Sequence, residues 1–301
     1  MDRTSVNWSG PMPAITTPFH DDGRIDEAEF AENVERLMKA GSTGVVVGGC
    51  TGEFWALNHD ERKRLFVVAK EAMAGQGTLI VGTGAVTVAE TVALTLAAEK
   101  AGSDGALILP PYFVKLTDDE IHAHYADVSK AVGLPIILYN IPGNAVNALS
   151  PALVARLAGL DKVVAVKESS GDWNNYYATY LAAHQKLRVF CGPSSVFGVP
   201  AVELGADGTI DCFPNMWSPG GLDLYNAPKR GDKAEARRLQ ALGRKLTDLC
   251  TSGGRTLYPA TKAAMDMQGL PGGGRPRAPL RALEGEPLHG LKKGLVELGL
   301  L

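Results

Sequence analysis

The chain has 301 residues, 45% hydrophobic and 21% charged, with a formal net charge of −3. That length can bury a sizeable core as one large α/β domain or two small ones, and the near-neutral balance leaves no electrostatic footprint for nucleic acid. No run approaches the roughly 20 apolar residues of a membrane span, and Met1 to Gly10 lacks the apolar core of a signal peptide, so a cytoplasmic protein without nucleic-acid or membrane partners is expected.

In chain order, short apolar runs start near Pro13, Gly44, Thr78, Gly105, Pro135, Val163, Arg188 and Gly208. Amphipathic segments lie between them, at 27–40, 61–74, 88–101 and 118–132. Eight strand–helix units predict an α/β fold of the (β/α)8 TIM-barrel type, with a doubly wound open sheet as the alternative. Thr87 and Thr117 read as helix N-caps, Thr117 in a capping box with Glu120, and Ser150-Pro151 reads as a cap followed by proline at the first helical position. Gly41, Gly102 and Gly133 are expected to close the preceding helices. After Cys212 the pattern turns helical, at 233–249 and 257–267, followed by a Pro/Gly-rich turn at 271–276 and a final short helix. The chain therefore divides into a barrel over 1–217 and a C-terminal helical extension over 218–301 packed on it. Arg62-Lys63-Arg64 and Arg237-Arg238 read as solvated helix faces. Cys50, Cys191, Cys212 and Cys250 are widely spaced and form no C-x-x-C pair, so free thiols are expected and no metal site.

In such a barrel the functional groups stand at the carboxyl ends of the strands. The run Val163-Val164-Ala165-Val166 ends in Lys167. An amine held against apolar walls loses hydration, and its pKa falls below the ordinary value of about 10.4. A neutral amine can attack a carbonyl and form a Schiff base. The fifth run ends in Tyr139, one strand–helix unit earlier, so adjacent strands would present phenol and amine side by side. The second run ends in the small-residue turn Gly48-Gly49-Cys50-Thr51-Gly52-Glu53, whose N–H groups could converge on an anion. Together these supply what an iminium of a 2-oxo acid needs: a carboxylate holder and a proton shuttle. Glu53 and Glu168 read as structural carboxylates, and Trp55 and Trp173 as packing aromatics. Cys50 as a nucleophile helped by His59 is a separate reading, without a third orienting group.

Several motifs carry a family resemblance: Gly49-Cys50-Thr51-Gly52-Glu53, Tyr139-Asn140-x-Pro142 and Val166-Lys167-Glu168-Ser169-Ser170-Gly171-Asp172. Pro110-Pro111-Tyr112-Phe113 and Arg275-Pro276-Arg277-Ala278-Pro279-Leu280 add to it. Together they resemble the dihydrodipicolinate synthase and N-acetylneuraminate lyase family of class I pyruvate-dependent Schiff-base aldolases and lyases. The resemblance implies a pyruvate Schiff base on Lys167 and proton transfer by Tyr139. It implies a pyruvate carboxylate held by the turn at Gly49, Cys50 and Thr51, with Gly192 and Ile210 near the bound intermediate. It also implies a small-molecule 2-oxo acid as partner, no cofactor or metal, and a homotetramer or dimer of dimers.

Three positions depart from the synthase pattern. The synthase relays protons from a hydroxyl in the turn to a tyrosine of the neighbouring subunit; Cys50 and Phe113 stand at those places. A thiol relays poorly and a phenyl ring cannot relay. Asn144 replaces an arginine that clamps the second substrate's carboxylate, losing a charge-assisted contact. The expected activity is therefore cleavage or dehydration of a keto-deoxy or hydroxy 2-oxo acid. The alternatives are 4-hydroxy-tetrahydrodipicolinate synthase and a catalytically silent 2-oxo acid binding protein.

Overall fold

A computed structural model describes residues 1–301. Its eight strands are β1 Gly10–Pro11, β2 Gly44–Val47, β3 Thr78–Gly82, β4 Gly105–Ile108, β5 Ile136–Asn140, β6 Val163–Glu168, β7 Arg188–Cys191 and β8 Gly208–Thr209. They pair in parallel in the order β1-β8-β7-β6-β5-β4-β3-β2. The two ends of that order meet: Thr43 N–H donates to the Pro11 carbonyl at 3.0 Å and Val46 N–H to the Pro13 carbonyl at 2.8 Å. The sheet thus closes into a (β/α)8 barrel, and the open-sheet alternative is excluded. β1 lies slightly upstream of the expected run, with Ala14 bridging to Val46.

The strand interiors are apolar on both faces because each face meets a different core. Val45, Leu79, Ile108, Leu138 and Val166 pack outward against the helices, whereas Val46, Ile80, Leu107, Ile137 and Phe190 fill the barrel. This is the double burial that a parallel sheet requires.

The helices are α1 Glu27–Lys39, α2 His59–Ala72, α3 Val88–Lys100, α4 Asp118–Ala131, a single turn α5 Pro142–Ala145, α6 Pro151–Leu157, α7 Trp173–Ala183 and α8 Ser194–Leu204. The Thr87, Thr117 and Ser150 hydroxyls cap α3, α4 and α6 as expected. Helix α2 starts at His59 because Asn58 caps it in a box with Glu61. Gly41 and Gly102 take left-handed φ values of 102° and 77° after α1 and α3. Gly133 does not; α4 ends through extended Val132, and Gly133 fits where a side chain would collide with Glu99.

Arg62 corrects a second expectation. It is buried, not solvated: its guanidinium donates to the Gly82 carbonyl at 2.7 Å and the Gly84 carbonyl at 3.2 Å, and lies over the Phe54 ring. Burial lowers its pKa to about 10.

Beyond the barrel come α9 Gly220–Lys229, α10 Lys233–Thr251, α11 Leu257–Met267 and α12 Gly285–Glu297. Leu239, Leu246, Leu291 and Leu295 of this region share a core with Val199 of α8 and with Cys212 and Phe213. No helix is long and apolar enough to cross a membrane.

Candidate active site

A β-bulge aims Lys167. Ile136 pairs with Val163, but Ile137 pairs with Ala165, so Val164 is an extra residue in β6. Val163 and Val166 accordingly belong to the outer core while Val164 and Ala165 both belong to the inner one. Without that slip, alternation counted from Val163 would turn Lys167 outward. With it, Lys167 registers with Tyr139 of β5, and its Nζ lies 4.2 Å from the centroid of the tyrosine ring.

The amine is 6% exposed. Burial holds its pKa below the ordinary lysine value, opposed in part by nearby acidic groups, the Asp211 carboxylate among them. The Tyr139 hydroxyl donates to Cys50 Sγ at 3.7 Å. Burial pushes the Tyr139 phenol well up and the Cys50 thiol up, so both keep their protons at neutral pH.

Lys167, Tyr139, Cys50, Thr51, Gly192 and Ile210 line one cavity of about 160 Å³. Gly49 is the N-cap of the 3-10 turn Cys50–Gly52, whose leading N–H groups have no partner within the turn. Asn144 stands in an adjoining compartment. Phe113 lines neither: it is 92% exposed at a φ of 75°. Glu53, Phe113 and Val146 all have positive φ, and all follow strand carboxyl ends, where strained backbone is a mark of function.

The turn at 48–53 is anchored from the C-terminal region. Glu53, fully buried, accepts from Lys262 Nζ at 2.8 Å and from Arg277 N–H at 2.9 Å. Lys262 also donates to the Thr17 carbonyl at 2.8 Å, and Thr17 Oγ1 donates to the Gly52 carbonyl at 2.8 Å. Glu168 points away from the cavity and organises the strand ends. Its Oε1 accepts from Asn140 Nδ2 at 2.9 Å, Ser170 N–H at 3.0 Å and Asn175 Nδ2 at 3.0 Å.

His59 sits at the exposed start of α2, 3.9 Å from Glu90, in a cleft of about 850 Å³ lined by charged residues such as Arg24, Glu27 and Arg64. It does not reach the cavity that holds Cys50, so that pairing is not formed. Trp173 packs on Tyr176 and Phe197, whereas Trp55 lines the compartment beside Asn144.

Among the cavity residues that escape the sequence reading are Asp211 and Tyr258. Asp211 follows β8, so the rule that picks Lys167 from a strand end would have found it. Its carboxylate accepts from Ser194 Oγ at 2.8 Å and Ser195 N–H at 3.0 Å. Tyr258, at the start of α11, lines this cavity and the adjoining compartment together with Cys50. No local pattern announces it, because only docking of the extension carries it there.

A barrel enzyme that sets a desolvated lysine beside a phenol at its strand ends is built for lyase chemistry, and the chain is an enzyme of the lyase class. Residues 7–297 match the dihydrodipicolinate synthetase family, and the chain belongs to it. The 4-hydroxy-tetrahydrodipicolinate synthase of Heliobacterium modesticaldum is 33% identical over 290 residues, 96% of this chain and 95% of that protein. An uncharacterised DapA-like lyase of Rhizobium meliloti is 35% identical over 272 residues, 89% of each chain. Among solved structures, the prophage protein YagE of E. coli K12, of the dihydrodipicolinic acid synthase family and in complex with pyruvate, superposes with a TM-score of 0.93 at 26% identity, covering 98% of this chain and 100% of that one.

Proposed function

We propose that the protein is a pyruvate-type class I lyase that cleaves or dehydrates a hydroxy or keto-deoxy 2-oxo acid through a Schiff base on Lys167. The observation that carries this reading is the buried Lys167 amine beside the protonated Tyr139 phenol in one cavity. The neutral amine adds to the 2-oxo carbon, and Tyr139 gives a proton to the departing hydroxyl as water leaves. The resulting iminium accepts the electron pair of the bond that breaks beyond C3. The first N–H groups of the turn at Cys50 and Thr51 hold the carboxylate. Cys50, which accepts from the Tyr139 hydroxyl, lines both this cavity and the second compartment, as does Tyr258.

A second reading, 4-hydroxy-tetrahydrodipicolinate synthase, is favoured by the names of the relatives. The uncharged Asn144 speaks against it, since an acceptor carboxylate there would lack a cationic partner. We further propose a cytoplasmic homotetramer or dimer of dimers; exposed Phe113, Val114 and Val146 offer apolar contact area for it.

Borohydride added with pyruvate should reduce an adduct onto the peptide containing Lys167, read as its mass increase, and Lys167→Ala should abolish it. A wild-type protein without adduct, or equal labelling in Lys167→Ala, would overturn the Schiff-base reading. Pyruvate release from a panel of hydroxy 2-oxo acids, run beside condensation with aspartate semialdehyde, separates the two activities.

A further inference from the structure

A second compartment of about 380 Å³ adjoins the Lys167 cavity, sharing Cys50, Leu257 and Tyr258 with it. Its walls are Phe54, Trp55, Leu109, Tyr112 and Leu280, and no charged side chain lines it. The aromatic walls are fixed by one another. Phe54 meets Tyr112 edge-on at 5.9 Å and Trp55 at 5.7 Å, and Trp55 leans on Tyr258 at 5.4 Å.

Polar capacity in this compartment is small. Asn144 and Thr256 are its uncharged polar residues besides the shared thiol and the phenols. The Arg62 guanidinium is engaged elsewhere: it lies over the Phe54 ring and donates to the Gly82 and Gly84 carbonyls. A carboxylated or polyhydroxylated group placed here would lose its hydration without gaining a cation or a full set of hydrogen bonds. An apolar ring would gain contact on several faces, and an apolar cavity of about 150 Å³ already holds a benzene ring.

We propose that this compartment receives an apolar, aryl-sized substituent on C4 of the substrate, so that the aldehyde partner of pyruvate is an aryl aldehyde. The inference rests on the Schiff-base reading above and adds the identity of the second half of the substrate. For a 4-aryl-4-hydroxy-2-oxobutanoate, the iminium forms at C2 with loss of water, and the C4 hydroxyl proton passes to the Tyr139 phenolate left when that residue gave its proton to the departing water. The C3–C4 bond then breaks: its electron pair enters the iminium to give the enamine, and the aryl aldehyde leaves. Protonation at C3 and hydrolysis release pyruvate and restore the amine, with no oxidant, reductant or further co-reactant consumed.

The test compares benzaldehyde, glyceraldehyde and aspartate semialdehyde as acceptors for pyruvate, read as pyruvate loss and product mass, with cleavage of 4-hydroxy-2-oxo-4-phenylbutanoate in the reverse direction. Benzaldehyde should be used with a kcat/KM at least about tenfold above either polar aldehyde, the scale on which an apolar pocket discriminates. Trp55→Ala should lower the benzaldehyde value by about tenfold and the glyceraldehyde value by less than about threefold. Borohydride trapping of pyruvate on Lys167 in each protein reports a folded first cavity. Equal or better use of a polar aldehyde, no benzaldehyde turnover in protein that traps pyruvate, or an equal loss on all three acceptors in Trp55→Ala would overturn the inference. Absence of the pyruvate adduct in the parent would overturn the Schiff-base reading and this inference with it.

Discussion

Lys262→Met isolates the contribution of the extension to the turn that faces the substrate. Lys262 and Glu53 are 1% and 0% exposed, so solvent screening gives no relief when the pair is broken. Methionine keeps most of the stem volume and removes the charge. Glu53 would retain only the Arg277 N–H, and the Thr17 and Arg275 carbonyls would each lose a donor. Removing one partner of a buried pair costs about 3–5 kcal/mol. For a chain of this size, at roughly 2–4 °C per kcal/mol, the melting temperature should fall by about 6–20 °C. Urea unfolding followed by circular dichroism measures the free energy by linear extrapolation. Pairing the change with Glu53→Gln should recover part of the loss, with a coupling energy of about 1–3 kcal/mol in the double-mutant cycle. The KM for pyruvate should rise in Lys262→Met, because Glu53 holds the turn in its left-handed conformation next to Thr51. A loss below about 1 kcal/mol, or energies that simply add, would refute the argument that this pair is desolvated and coupled.

The remaining expectations concern the cavity itself. Since burial depresses the Lys167 pKa, the neutral fraction grows with pH, so adduct formation at fixed pyruvate should climb through that lowered pKa and level off above it. Between the lowered value and the unfolded value of about 10.4, the unfolded chain binds more protons at this site, so stability should rise with pH there and Lys167→Met should flatten the slope. Reductive trapping across the pH range checks the first statement; an increase that continues unchanged to about pH 10 would count against a desolvated amine. Gly192→Ala should suppress pyruvate trapping at least about tenfold with secondary structure intact, because the added Cβ would overlap Ser169 Oγ and sit 2.8 Å from the Glu168 carbonyl. Gly143→Ala, where nothing lies within 4 Å, serves as the control and should trap normally.

The barrel and the Lys167 cavity are legible in the sequence for one reason: both are made of strands and their ends. Apolar runs announce each strand, so Lys167, Tyr139 and the Cys50-Thr51 turn can be found from the residues that terminate each run, and the same rule finds Asp211. Periodicity cannot supply the bulge at Val164; taken alone, alternation from Val163 would place Lys167 on the wrong face of the sheet. The charge pattern around Arg62 misleads for a similar reason, since only tertiary packing brings the Gly82 and Gly84 carbonyls and the Phe54 ring to it. The second compartment is the least legible part. Its walls join the turn after β2 to α11 and Leu280, and the contact that fixes them, Lys262 to Glu53, spans 209 residues. The division has a chemical consequence. Groups proposed to make the bond to pyruvate lie on strands, where local pattern sets them, whereas groups proposed to meet the second substrate lie on loops and on the docked extension, which can change without disturbing the barrel.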